Sequence, residues 1–170
     1  MLGSDGARDA HVMLDAYLQT TPDREQALLD LAVEYNRLFV GPAAPPCPPY
    51  QSVYDQSRPT EEQGTVLGPT AEAVEKAMRA EGLGVTLDHT VIADHAAVEL
   101  EFMFYILSRA AHDADEGSQY AERATQFRAA HIVPWLAKFG ARVAKEARHP
   151  FYEHTGRLLE RFVGAEMASR

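Results

Sequence analysis

Seven of the ten prolines of this 170-residue chain fall between Pro42 and Pro69. Proline lacks a backbone N–H and holds φ near −65°, so this window excludes a long helix or a central strand. The chain on either side reads as helix. The window is therefore a long connection inside one domain spanning 1–170, and loops longer than ~15 residues are uncommon unless they are functional or disordered. Tyr50, Val53 and Tyr54 give it more aromatic and branched content than a disordered linker carries. It is expected to be an ordered, extended loop on the surface.

The helical reading rests on apolar periodicity. The first clear helix opens at Pro22, with Asp23 and Glu25 where the helix dipole favours acids, and stops at Gly41-Pro42. Leu28, Leu31, Ala32, Tyr35, Leu38 and Phe39 share one arc, with Leu29, Val33 and Val40 beside it. So wide an apolar surface predicts several neighbours. A second helix is expected from Thr70, as N-cap, to near Gly82, burying Val74, Ala77 and Met78. Residues 83–93 read as a connection. From Ala93 to Ala111 the apolar residues nearly encircle a helix. One stripe is Ala96, Leu100, Met103, Phe104 and Leu107 and another is Phe102 and Ile106, so this helix is expected to be central. From Glu116 onward Tyr120, Ala124, Phe127, His131 and Trp135 line one face, and Pro134 is expected to kink it. A last helix from Pro150 is expected to bury Phe151, Leu158, Leu159 and Phe162. No strand alternation competes. The fold class is all-α, a bundle of about six helices with a long proline-rich loop.

Composition narrows the function. A net charge of −9 argues against nucleic acid, whose phosphates require a basic surface. It suits a cationic partner, although acidity also serves solubility. No run of 18 apolar residues exists to span a membrane, so no stable membrane insertion is expected. The first residues lack the basic and apolar regions of a secretory signal. The single cysteine, Cys47, forms no internal disulfide. Together these favour the cytoplasm.

Candidate chemistry concentrates in "ADHAAVELEFM", which places Asp94, His95, Glu99 and Glu101 on an otherwise apolar element. Buried charges require partners or shift their pKa values. His95 and Glu99 are four apart and can pair along the helix, and Asp94 lies where the helix start favours its charge. One reading is a cap with satisfied internal pairs. A second is a metal-dependent helical enzyme using His95, Glu99 and Glu101. Dimetal bundles use a pair of Glu-x-x-His motifs, and this chain has no such pair. Cys47 sits between prolines with no base beside it, and no phosphate-binding loop or nucleophile elbow occurs. No enzyme activity or cofactor follows from the motifs.

Four segments, in order across roughly residues 24–163, carry a resemblance: "EYNRLFVGP", "PPYQSVY", "ADHAAVELEFM" and "FRAAHIVPWLAKF". Together they resemble the TorD/DmsD family of cytoplasmic chaperones for molybdenum-containing redox enzymes. Ala93 stands where that family commonly has proline, and residues 1–19 supply only part of its first helical stretch. The resemblance implies a binding protein, not an enzyme. Its partners would be the twin-arginine signal peptide and the catalytic subunit of a molybdenum-containing oxidoreductase, held until its cofactor is inserted. The peptide-binding candidates are Tyr35, Leu38, Phe39, Pro49, Tyr50, Val53, Tyr54, Asp94, His95, Glu99 and Glu101, with Asp94 expected to meet the arginines. A structural adaptor for a folded partner is the other reading. Monomer and homodimer are both open, and the connection from Leu83 to Val91 could serve as a hinge for helix exchange.

Overall fold

Asp23 starts the first regular helix. Its carboxylate accepts the backbone N–H groups of Glu25 and Gln26 at 3.0 and 3.2 Å, the bonding an N-cap makes. Helix α1 runs Arg24–Tyr35 and widens into a single π-helical turn, Asn36–Val40. Gly41, at φ 51°, closes that turn by donating its N–H to the Asn36 carbonyl, five residues back, at 2.7 Å. The computed structural model describes residues 12–13, 15–17, 19–20, 23–42, 44–84, 92–113 and 115–167, with side chains to Val163. The described residues between 12 and 20 are helical. Further elements follow: α2 (Gln51–Tyr54), a 3-10 turn (Thr60–Glu62), α3 (Pro69–Ala80), α4 (Ala96–His112) and α5 (Gly117–Phe127). A second π-helical turn (Arg128–Ile132), α6 (Leu136–Glu146) and α7 (Pro150–Met167) complete the order. Among the described residues there is no strand, and the all-α expectation holds.

The chain divides into two compact units, one built from residues 1–48 and 137–170 and the other from residues 49–136. In the first, α1 turns Ala27, Glu34 and Leu38 inward and leaves Leu28, Leu29, Val33, Tyr35 and Val40 exposed. The helix and its π-helical end meet both α6 and α7, as a wide apolar surface predicts, while the second apolar arc, Leu29, Val33 and Val40, is exposed. Phe39 is half-buried, its ring 6.1 Å from Phe139 and 5.9 Å from Tyr152. Helices α6 and α7 meet at glycines. A Cβ on Gly140 would lie 2.7 Å from the Gly156 carbonyl oxygen, and one on Gly156 would lie 2.5 Å from the Ala144 nitrogen. Val163, rather than the exposed Phe162, is the buried apolar residue near the end of α7. Phe151, Leu158 and Leu159 are half-buried.

Glu34 ties this unit together. Arg37 grips its carboxylate with Nε at 2.7 Å and a terminal amine at 2.8 Å, and the Arg148 N–H donates to it at 2.6 Å. The same guanidinium donates to the Glu146 carbonyl at 2.7 Å, so the pair clamps the turn between α6 and α7. Arg37 above all, then the Arg148 N–H, holds the Glu34 carboxyl down at about 2 despite burial. A depressed carboxyl contributes stability that is full above the ordinary 4.5 and is lost as pH falls toward 2. Glu34→Ala leaves the Arg37 guanidinium with the Glu146 carbonyl alone and the Arg148 N–H without its carboxylate. It is expected to lower unfolding free energy by about 3 kcal/mol, read by urea denaturation at pH 7. The difference from wild type should shrink toward pH 2.

In the second unit α4 and α5 form a tight helical hairpin. Asp113 accepts the N–H groups of Asp115 and Glu116 and pairs with Arg109 at 2.9 Å. Gly117 lies so close to the Ala110 carbonyl that a Cβ would come within 2.9 Å of its oxygen. Phe102 and Phe127 meet edge to face at 4.8 Å. Tyr120, Ala124 and Phe127 are buried as expected, and so is Trp135. The break foreseen at Pro134 takes the form of the π-helical turn before it, and α6 restarts at Leu136. Helix α4 departs from expectation. Phe102 and Ile106 are buried, but Leu100, Phe104 and Leu107 are 39%, 72% and 49% exposed. Thr70 does not cap α3, which starts at Pro69. Its hydroxyl donates to Asp55 at 3.0 Å instead. The connection expected over 83–93, with its hinge, lies largely outside the described residues.

Candidate functional site

The proline window is not a plain surface loop. Cys47, Pro49, Gln51 and Ser52 are buried, and Gln51–Tyr54 is one helical turn rather than extended chain. Burial pushes the Cys47 thiol up to about 11, which keeps it protonated and unreactive. Pro49 cannot donate a hydrogen bond, but its carbonyl accepts the Ala96 N–H at 2.9 Å. The Gln51 N–H donates to the Asp94 carbonyl, also at 2.9 Å. These bonds set Tyr50 antiparallel to His95, with their rings edge to face at 5.0 Å.

Asp94 is fully buried, and its Oδ2 accepts the Ser52 N–H at 2.8 Å. It thus caps α2, a helical turn 42 residues earlier in the chain. His95, not Asp94, caps α4, its Nδ1 accepting the Ala97 N–H at 3.1 Å. An accepting Nδ1 places the ring proton on Nε2. Burial lowers the His95 pKa, with the Asp94 charge acting the other way, and this favours the neutral ring.

Gln51 extends the network toward α5. Its amide nitrogen donates to the Ala130 carbonyl at 3.0 Å, and its amide oxygen lies 3.0 Å from His131 Nδ1. An amide oxygen only accepts, so His131 donates through Nδ1. The widened turn Arg128–Ile132 frees the His131 carbonyl to accept the Trp135 indole N–H at 2.6 Å. That N–H also reaches Glu99 Oε2 at 2.9 Å. Glu99 is fully buried, and burial pushes its carboxyl up to about 9, partly offset by the Trp135 bond and reinforced by Asp94. It is neutral at physiological pH. Beside this network, Phe102, Ile106, Arg123, Phe127 and His131 line an apolar cleft of ≈ 400 Å³.

The second unit thus brings Pro49, Tyr50, Asp94, His95 and Glu99 together. Tyr50, Val53, Tyr54 and His95 are half-buried and Glu101 is exposed. Tyr35, Leu38 and Phe39 belong to the first unit, where Tyr35 is 47% exposed and Leu38 is buried. The pairing expected between His95 and Glu99 is replaced by a cap and an indole bond. His95, Glu99 and Glu101 do not converge. Among the described residues no group of three His, Cys, Asp or Glu side chains is placed to hold a metal ion. Gln51 and Ser52 were missed because their partners lie 42 to 80 residues away.

Residues 3–141 match the family model described as nitrate reductase delta subunit. The chain belongs to this family. Its relatives include the chaperone protein TorD of Shewanella loihica, 30% identical over 84% of this chain and 63% of that protein. TorD of Vibrio cholerae is 26% identical over 92% of this chain and 69% of that protein. The Tat proofreading chaperone DmsD of Salmonella typhimurium is 27% identical over 73% of this chain and 54% of that protein. The chain spans about 54–69% of the length of these three relatives. All four motif segments fall within the matched region.

Proposed function

We propose that this chain is a cytoplasmic maturation chaperone for a molybdenum-containing oxidoreductase. It binds the twin-arginine signal peptide of the catalytic subunit and holds the apo-enzyme for cofactor insertion before export. It acts by binding, with no reaction and no cofactor of its own. The observation that carries the reading is the family match to proteins named TorD and Tat proofreading chaperone DmsD. The net charge of −9 suits a peptide with a cationic start, and no described helix is long and apolar enough to cross a membrane.

The roles of the candidates divide by burial. In the second unit the half-buried Tyr50, Val53, Tyr54 and His95 and the exposed Glu101 are the contacting groups. Buried Pro49, Asp94 and Glu99 hold those groups in place. Tyr35 and Phe39 are contact candidates of the first unit, above the buried Leu38. The exposed carboxylate of Glu101 thus takes the arginine-pairing role that the sequence alone gave to Asp94.

Calorimetric titration of a synthetic twin-arginine signal peptide tests this. A peptide that orders on binding is expected to show a Kd on the order of micromolar, weakened by added salt. Glu101→Ala should weaken it several-fold with the melting temperature unchanged. No heat and no thermal shift with any signal peptide from the host's molybdoenzymes would reject the reading.

A further inference from the structure

Ser52 Oγ, Asp94 Oδ1 and Glu99 Oε1 are buried and have no hydrogen-bond partner in the protein. Their residues are each 0% exposed, so solvent at the surface does not reach them. A buried polar group left unpaired loses its hydration with nothing in exchange, and native folds leave few such groups. These three lie in one small region of the second unit. The Ser52 N–H donates to Asp94 Oδ2 at 2.8 Å, so Ser52 Oγ and Asp94 Oδ1 are the remaining side-chain oxygens of a bonded pair. Glu99 is fixed by Trp135, whose indole N–H holds its Oε2 at 2.9 Å. The helical turn that carries Ser52 closes on the same indole, with the Tyr54 ring 5.5 Å from that of Trp135. Glu99 is also near enough to Asp94 to feel its charge.

The donor and acceptor roles decide what fits between them. Charged Asp94 only accepts at Oδ1. The Ser52 hydroxyl has a proton to donate. Glu99 is neutral, and its Oε2 accepts the indole N–H, so its proton sits on Oε1 and points a second donor at the region. Two donors and one acceptor match a single molecule that accepts twice and donates at least once. An anion is repelled by Asp94, and a cation would face the Glu99 proton. We propose that Ser52 Oγ, Asp94 Oδ1 and Glu99 Oε1 form a closed binding site for one internal water molecule. The water accepts from Ser52 and Glu99 and donates to Asp94, which is about the three bonds that buried waters typically make. It completes the joint between α2 and α4 on which Tyr50, Val53 and Tyr54 are carried. The site is independent of whether that turn meets a peptide.

A crystal structure of the chain at neutral pH, at a resolution that shows ordered water, tests this. The expected result is one water peak about 2.5–3.0 Å from each of the three oxygens. A rubidium soak should give no anomalous signal at that point, since a monovalent cation is the rival occupant. Glu99→Gln should keep the water, because the side-chain amide donates from the same place while its oxygen accepts the indole N–H. A rubidium peak at the site overturns the inference. So does a direct bond between Glu99 Oε1 and Asp94 Oδ1 with no water between them, or a site without density in the wild-type chain.

Discussion

Gly156→Ala is expected to destabilise the protein by about 3 kcal/mol or more, and Gly156→Leu to prevent folding. The sign is the informative part. Replacing a helix-interior glycine by alanine ordinarily stabilises by about 0.5–1 kcal/mol, because glycine loses more backbone entropy on folding. Here the new methyl would lie 2.5 Å from the Ala144 nitrogen and 2.6 Å from the Gly140 carbonyl oxygen. Both are backbone atoms of α6 and cannot swing aside as a flexible side chain could. Relief requires α6 and α7 to separate, which costs contacts along their whole crossing. Gly140→Ala meets the same obstacle from the other helix, so the two substitutions should be far from additive. Gly84→Ala, with open space around its Cβ, is the control and should change little. Urea denaturation followed by circular dichroism would measure all four. In a chain of this size a 3 kcal/mol loss corresponds to a melting temperature lower by roughly 6–12 °C. An unchanged Gly156→Ala would mean that the helices do not cross there.

Periodicity exposed α1, α3, α4, α5 and α7, but it did not read α6, Leu136–Glu146, as a helix of its own. It did not identify which stripe was buried where a helix is apolar all round. On α4 the sequence weighs Leu100–Phe104–Leu107 and Phe102–Ile106 equally, and only the packing of Phe102 on Phe127 separates them. The proline window was legible as a place of constraint but not as a buried one. Pro49, Tyr50 and Gln51 gain order from Asp94, His95 and Ala96, and no local pattern encodes a pairing at that separation. Asp94 shows the limit most clearly. A conspicuous acid at a helix start reads equally well as a cap or as a charge contact. It is a cap, but for Ser52 in another element.

The proton on Glu99 should make the protein lose stability as pH rises, and Glu99→Gln should abolish that loss. The folded chain holds Glu99 protonated up to about pH 9, because burial disfavours its charge. The unfolded chain releases that proton above the ordinary 4.5. A raised carboxyl therefore contributes stability that is full below 4.5 and declines as pH climbs to about 9, by at most ~1.4 kcal/mol per pH unit. Glu34, His95 and His131 act in the opposite sense. Their folded pKa values are depressed, so their contributions fail toward acid pH, and comparison with the variant isolates Glu99. Glutamine keeps an acceptor for the Trp135 indole N–H without carrying a charge. Melting temperatures of the two proteins should nearly coincide at pH 4.5 and diverge by several degrees by pH 8, with the variant higher. Trp135 is the only tryptophan and bonds directly to this carboxyl, so its emission gives a local readout. Wild-type fluorescence should titrate near pH 9 while the chain is still folded, and the variant's should not. Parallel stability curves from pH 5 to 9 would show that Glu99 is ionised in the fold and would require a buried cation beside it.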